Sequence, residues 1–481
     1  MRTILVPAAL VVALAVAFQV AVAHRTRQGW RALAVGMNAD VKRGGVQGLL
    51  RARLVGMRMA LAVPDDADSA AALAYVSARL AVGYGVSSAP EAEVAATRAE
   101  KGGAAGGVLA AARALLELHH GRRERALAIA GAAAVGGTTV EPYLALAGAR
   151  AWSGDLPAGS RALEVARVIA PDVRDARVAW AELRIDLGDP AAALEALEPV
   201  VRAEPEDTEA QLLAAETRDA LGRSTAPPAA LATGCARDQG VSPVLRAGCA
   251  LERATRARLA GDRARALLEA HVASGIVPPH PRLLGRIAQL LAQLGSIDQA
   301  ELLLSAAPRL GDESLPALAW ARAAIALGRG ETALPPGLAS TGSTARLIAA
   351  RAAFASGGAR GLESWPADPL GDPDLRLYLA AAHGAASDQR GPLADYLGGL
   401  RARLDGDLPA AALRLVAALD GHGDACRAAG EYIATVRALG REINLAALGP
   451  LRRSNARCAH LSPAALAAPL ARPARKRTPR R

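Results

Sequence analysis

One spacing constrains this chain more than any other feature: turn-type glycines recur at intervals of 34 residues. Gly154, Gly188 and Gly222 are each 34 apart, and so are the prolines Pro171 and Pro205 and the small residues Ala147, Ala181 and Ala215. The phase breaks and resumes at Gly261 and Gly295, with Ala254 and Ala288 before the turns and Ala266 and Ala300 five residues beyond them. Gly406 and Gly440 repeat the spacing near the carboxyl end, with Ala411 and Ala418 behind the first. An earlier unit has Gly121 as its turn, with Ala126 and Ala133 behind it. A fixed period of this length means a repeated supersecondary unit whose apolar face is buried only by its neighbours.

Each repeated position has a physical reason. Glycine at the turn ends one helix in a left-handed conformation, and the aspartate that often follows caps the next, as in Gly154-Asp155, Gly188-Asp189, Gly261-Asp262 and Gly406-Asp407. Alanine at the crossing lets two helix axes approach closely. Proline stops the second helix and redirects the chain. Only 3% of the residues are aromatic, and alanine, the best helix former, dominates. The fold class expected is therefore all-α.

The stretch AWAELRIDLGDPAAALEALEPVVRAEPED, from Ala179 to Asp207, resembles the tetratricopeptide repeat family. That resemblance implies helical hairpins stacked into a superhelix. A first block is expected over residues 31–222 and a second over 245–450, with degenerate helical pairs from Arg31 to Ala99 and from Ala317 to Leu400. Residues 223–244, which contain Pro227-Pro228, are read as a linker loop between the blocks. Residues 451–481 form a basic tail, expected to be disordered.

The net charge of +11 is concentrated there: Arg472, Arg475, Lys476, Arg477, Arg480 and Arg481 lie in the last ten residues. Basic residues interleaved with stacking aromatics are missing, which argues against a nucleic-acid partner. At the other end an uncharged apolar run extends from Ile4 to Ala23 and closes on Ala21-Val22-Ala23. It is long enough to span a bilayer and also ends like a cleaved export signal. Residues 1–23 are thus expected to be a signal peptide or a membrane anchor, with the repeats in the cell envelope, in the periplasm or at the inner membrane; an anchor that leaves the repeats in the cytoplasm is the alternative.

No motif points to catalysis or to a cofactor. Gly337 to Thr344 has the glycine spacing of a phosphate loop, but Ser343 stands where the lysine should be. His119-His120 sits at a helix end, where the helix dipole favours it. Four cysteines form two local pairs, Cys235 with Cys249 and Cys426 with Cys458. Two disulfides, buried thiols, or a zinc set of His422, Cys426, Cys458 and His460 all fit that arrangement.

In the family resembled, the first helix of each hairpin lines a concave groove through positions 2, 5, 9, 12 and 13 of the repeat. For the three in-phase repeats these positions supply Glu141, Leu144 and Trp152; then Asp175, Val178, Glu182, Ile185 and Asp186; then Glu209, Leu212, Glu216 and Asp219. Seven are acidic and none basic. The expectation is a protein-binding scaffold that takes a basic peptide segment on this face, with Trp152 as its main apolar anchor. A solvated helix face is the plain alternative for the same carboxylates. An enzyme of the helical lyase or transferase kind is the alternative class, and would need convergent His, Tyr and Arg.

Overall fold

The computed structural model describes residues 32–444 apart from 222, 224–228, 239, 277, 308–314, 332–342, 363–364, 366–372, 384–390 and 420–423, together with Ala446, Leu448 and Cys458. The apolar run 4–23, Gly222, nearly all of the basic tail, His422, His460 and most of 337–344 lie outside these residues. Among the described residues there is no strand, and no helix is long and apolar enough to cross a membrane.

The turns obey the period. Gly121, Gly154, Gly188, Gly261, Gly295, Gly406 and Gly440 all have positive φ, between 67° and 93°. After each, the next residue's N–H reaches the carbonyl five residues back, as Asp155 does to Arg150, Asp262 to Ala257 and Asp407 to Ala402. The four Gly-Asp caps form as well. Asp155, Asp189, Asp262 and Asp407 accept from the N–H groups of Ala158, Ala192, Arg265 and Ala410 at 3.0 to 3.2 Å. One further turn, Gly330 (φ 91°), follows Gly295 by 35 residues and so escapes a strict 34-residue search.

The crossing alanines are fully buried: Ala147, Ala181, Ala215, Ala254 and Ala288 are all at most 2% exposed. Ala133 is a correction, since it is half-buried and Ala130 and Ala134 pack in its place.

By its internal contacts the chain forms two units: residues 1–183, 195–211 and 236–243, and residues 184–194, 212–235 and 244–481. The division between these units does not fall as one boundary at 223–244, and among the described residues that segment is partly helical. It contains the helix Ala229–Asp238. In the first unit the buried Asp238 accepts from Thr208 Oγ1 at 2.6 Å and Gln47 Nε2 at 2.8 Å. In the second, Cys235 is bonded to Cys249 in the following helix. These ties hold the segment in place.

Within the first unit, helix Ala67–Tyr84 packs on Ala89–Lys101 and on Gly107–His119. Gly107–His119 packs in turn on Arg123–Ala134 and on Glu141–Trp152, which rests on Leu156–Ile169. Each first helix thus touches its own partner and the first helix of the next hairpin, the pattern of a tandem stack. In the second unit, Pro281–Gln293 packs on Ile297–Leu304 and on Pro316–Gly328. Leu284, Ile287 and Leu291 fill that junction without exposure, each contributing roughly 1.5–3 kcal/mol. The approach is close enough that a Cβ at Gly285 would lie 2.6 Å from the Ala317 carbonyl carbon.

Candidate binding faces

Five of the seven projected carboxylates are paired with arginines of the protein itself. In the first unit Arg174 is only 7% exposed. It donates Nε and Nη2 to the two oxygens of Asp207 at 2.7 and 2.6 Å, a bidentate pair. Its Nη1 reaches Asp175 Oδ1 at 2.9 Å and Glu209 Oε2 at 2.5 Å. The Tyr84 hydroxyl donates to Glu209 at 2.6 Å, the Gly45 N–H donates to Asp175 at 3.0 Å, and Arg79 Nε stands 3.7 Å from Asp175. Burial alone would push the Asp175 carboxyl up. The charges of Arg79 and Arg174 and the Gly45 N–H outweigh it and hold the group below the usual carboxylate range.

In the second unit Arg282, 8% exposed, donates Nε to Asp186 at 2.7 Å and both Nη groups to Glu216 at 3.1 and 2.5 Å. Arg286 adds a bond to Glu216 at 2.5 Å. Burial opposes ionisation of Glu216, and the two arginines overcome it, leaving its carboxyl depressed. Asp219 pairs with Arg256 at 3.3 Å.

Asp175, Asp186, Glu209, Glu216 and Asp219 are therefore ion-paired inside the protein, and Glu141 and Glu182 are half-buried. The apolar positions are core. Leu144, Trp152, Val178 and Ile185 are 3–9% exposed, and Leu212 is half-buried. Trp152 is buried packing rather than an exposed anchor. The five paired carboxylates are therefore satisfied within the protein and offer little free charge to a basic segment. Extending the positional rule one block further would have found part of the reason, since Arg282 occupies position 2 of the repeat whose turn is Gly295.

The same rule applied to the last two turns leads to an open site. For the repeat turning at Gly406 it selects Leu393, Tyr396, Leu400, Arg403 and Leu404; Leu393 is buried, and the other four line a groove of about 1490 Å³ in the second unit. For the repeat turning at Gly440 it selects Arg427, Gly430, Ala434, Arg437 and Ala438, and all but Ala438 line the same groove. Helices Pro392–Leu404, Leu408–Ala417 and Ala425–Ala438 supply most of its wall.

The wall carries five arginines, Arg401, Arg403, Arg414, Arg427 and Arg437, against three carboxylates, Asp405, Asp407 and Glu431. Asp407 is occupied as a helix cap. Arg401 pairs with Asp405 at 3.0 Å, and Arg403 pairs with Glu431. Arg427 donates Nη2 to the Glu331 carbonyl at 2.7 Å, while its buried Nε has no hydrogen-bond partner. Arg414 is exposed and makes no ion pair among the described residues. Its guanidinium lies against Gly398, where a Cβ would collide with it. Apolar side chains from Leu377, Leu397 and Ile433 complete the lining.

Both cysteine pairs are disulfides, Cys235–Cys249 and Cys426–Cys458, with Cα separations of 6.0 and 5.3 Å. Among the described residues no three side chains of the metal-ligating kind come together. His119 and His120 stand edge to face at the helix end, with His120 Nε2 3.1 Å from Glu93.

No family model matches the chain, and no curated protein matches it significantly. A chain of the solved structure titled "Structure of Naa15/Naa10 bound to HypK-THB" is similar over 89% of this chain and 68% of that one. The identity is 15% and the TM-score 0.23, too low to carry an argument about either fold or partners.

Proposed function

We propose that this chain is a scaffold of the tetratricopeptide type that holds other proteins, and that a partner segment lies in the arginine-lined groove of its carboxyl-terminal hairpins. One observation carries the reading. Eight of the ten positions that line the binding groove in the family resembled also line an open cavity here, between Tyr396 and Leu404 and between Arg427 and Arg437. The chemistry of that cavity reverses the sequence expectation. An excess of arginines over an apolar floor suits an acidic segment, and its carboxylates would find the donors of Arg414 and Arg427. Nucleic acid is not among the partners proposed.

The alternative of an enzyme would draw on Tyr84, Arg79 and Arg174, which do converge in the first unit. These groups are committed to Glu209, Asp175 and Asp207, so the cluster reads more simply as structural.

We place the protein in the cell envelope, exported or anchored through residues 4–23. Two disulfides suit an oxidising compartment, and the apolar run suits export. Fusing residues 1–40 to alkaline phosphatase tests this: the fusion should be active, and an inactive one would put the repeats in the cytoplasm.

The scaffold reading is tested by a photo-crosslinking residue at Leu404, a groove position 79% exposed, with Val168, 82% exposed on another helix, as control. In the native host a discrete protein adduct should form from 404 and not from 168. Equal labelling at both, or none at either, would remove the groove as the binding site.

A further inference from the structure

The helix Gly45–Ala62 has two faces of different character. One buries Val46, Leu49, Ala52, Gly56 and Met59, packed toward Ala67–Tyr84. The other exposes Leu54 (59%), Met57 (40%) and Leu61 (84%) at helical spacing, flanked by the exposed Arg51 and Arg58. Val35, in the helical stretch just before, is 69% exposed.

Its charge is also one-sided. The helix contains Arg51, Arg53 and Arg58 and no acidic residue. Arg53 is tied inward to Glu91 at 2.5 Å and Arg51 to Asp40 at 3.1 Å, while Arg58 makes no ion pair among the described residues. The nearest exposed acids in the chain, Asp65 and Asp68, lie beyond the helix end. An exposed helical face of leucines and methionine edged by arginine is the composition that seats a helix at a lipid–water boundary.

The preceding sequence supplies the means of reaching such a boundary. The apolar run 4–23 is followed by eight residues, His24 to Arg31, that include Arg25, Arg27, Trp30 and Arg31. Arginines and a tryptophan next to an apolar span are interfacial residues. Eight residues reach at most roughly 30 Å, so a run held in the bilayer keeps Val35 and its neighbours beside it.

We infer that the outer face of helix Gly45–Ala62, with Val35, lies on the surface of a lipid bilayer and holds the repeat array against it. This rests on the reading of residues 4–23 as a retained anchor, and it adds a second contact which that reading does not require. The occupant is lipid rather than protein because the face combines apolar and arginine side chains within reach of a bilayer-length apolar run.

The test uses the full chain in vesicles of phosphatidylcholine with phosphatidylglycerol, carrying an environment-sensitive fluorescent residue at position 61 or, as control, at Val168. Flotation reports whether the chain is anchored, and quenching by brominated lipid reports whether the probe touches acyl chains. Position 61 should be quenched and position 168 should not. Leu54→Glu should abolish quenching at 61 while the protein still floats. A chain that floats with position 61 unquenched overturns the inference alone. The same holds if the probe is blue-shifted without quenching, which would mean that the apolar run or a second copy covers the face. A chain that does not float overturns the anchor reading and the inference with it.

Discussion

Arg282 and Arg414 both stand on helical hairpins of the same type, yet their surroundings divide the molecule into two kinds of surface. Arg282 is buried and spends its donors on Asp186 and Glu216. Arg414 is exposed beside a glycine, over a groove with more arginines than carboxylates. Buried pairs of the first kind fix the arrangement of the middle helices and present little net charge outward. Unbalanced arginines of the second kind keep their field for something else. A count of acidic residues on a projected face cannot separate the two, because it does not see the arginines that reach in from other repeats.

The largest effect should come from breaking a buried pair. Arg282→Ala removes the buried arginine shared by Asp186 and Glu216, leaving Glu216 to Arg286, and should cost about 3–5 kcal/mol in urea unfolding. A loss below about 1 kcal/mol would mean that the cluster is solvated and that the contrast between the regions is false. Trp152→Ala should cost a similar roughly 3–5 kcal/mol by opening a cavity, and should change partner binding only through stability. A stable Trp152→Ala variant with impaired binding would restore this residue as an anchor.

A third effect is on acid stability. The carboxyls of Asp175 and Glu216 are depressed in the folded protein, so each contributes stability above its unfolded pKa. That contribution is lost as pH falls through the folded value, below the ordinary carboxylate range. Thermal scans should therefore show stability falling on the acid side, below the ordinary carboxylate range. Asp175→Asn should flatten that dependence in proportion to what it removes at neutral pH, and an unchanged acid slope would contradict the pairing.

The smallest effect on stability belongs to the groove. Gly398→Ala should displace the Arg414 side chain, which is the mobile end of a long residue, and leave the melting temperature nearly unchanged. A large fall in melting temperature would mean that Arg414 is structural there, as Arg282 is.

How much of this was legible in the sequence depended on range. Turn glycines, aspartate caps and crossing alanines are local to one hairpin or its neighbour, and a 34-residue period captures them; the cysteines pair over 14 and 32 residues, and the sequence left their state open. Gly330 was missed because its spacing is one residue too long, and helix Ala229–Asp238 because Pro227-Pro228 reads as a loop. The ion pairs were out of reach for a different reason. Arg282 is 96 residues from Asp186 and 66 from Glu216, and periodicity says which face a residue occupies without saying which repeat supplies its partner. The groove was within reach, since the same positional rule extended to Gly406 and Gly440 selects its lining. Nor could the sequence tell that Trp152, Val178 and Ile185 are buried at positions that line an open groove elsewhere.

Opposing the two regions directly needs one titration. Fluorescent peptides of alternating Glu and Leu, and of alternating Lys and Leu, are added to the full chain and followed by anisotropy at low and high salt. Binding of the Glu peptide is expected, weakened by salt because exposed charges are screened over about 8 Å at physiological ionic strength, and lost in Arg414→Glu. Binding of the Lys peptide instead, insensitive to Arg414→Glu and reduced by Glu182→Gln, would contradict the account and return the binding face to the middle repeats.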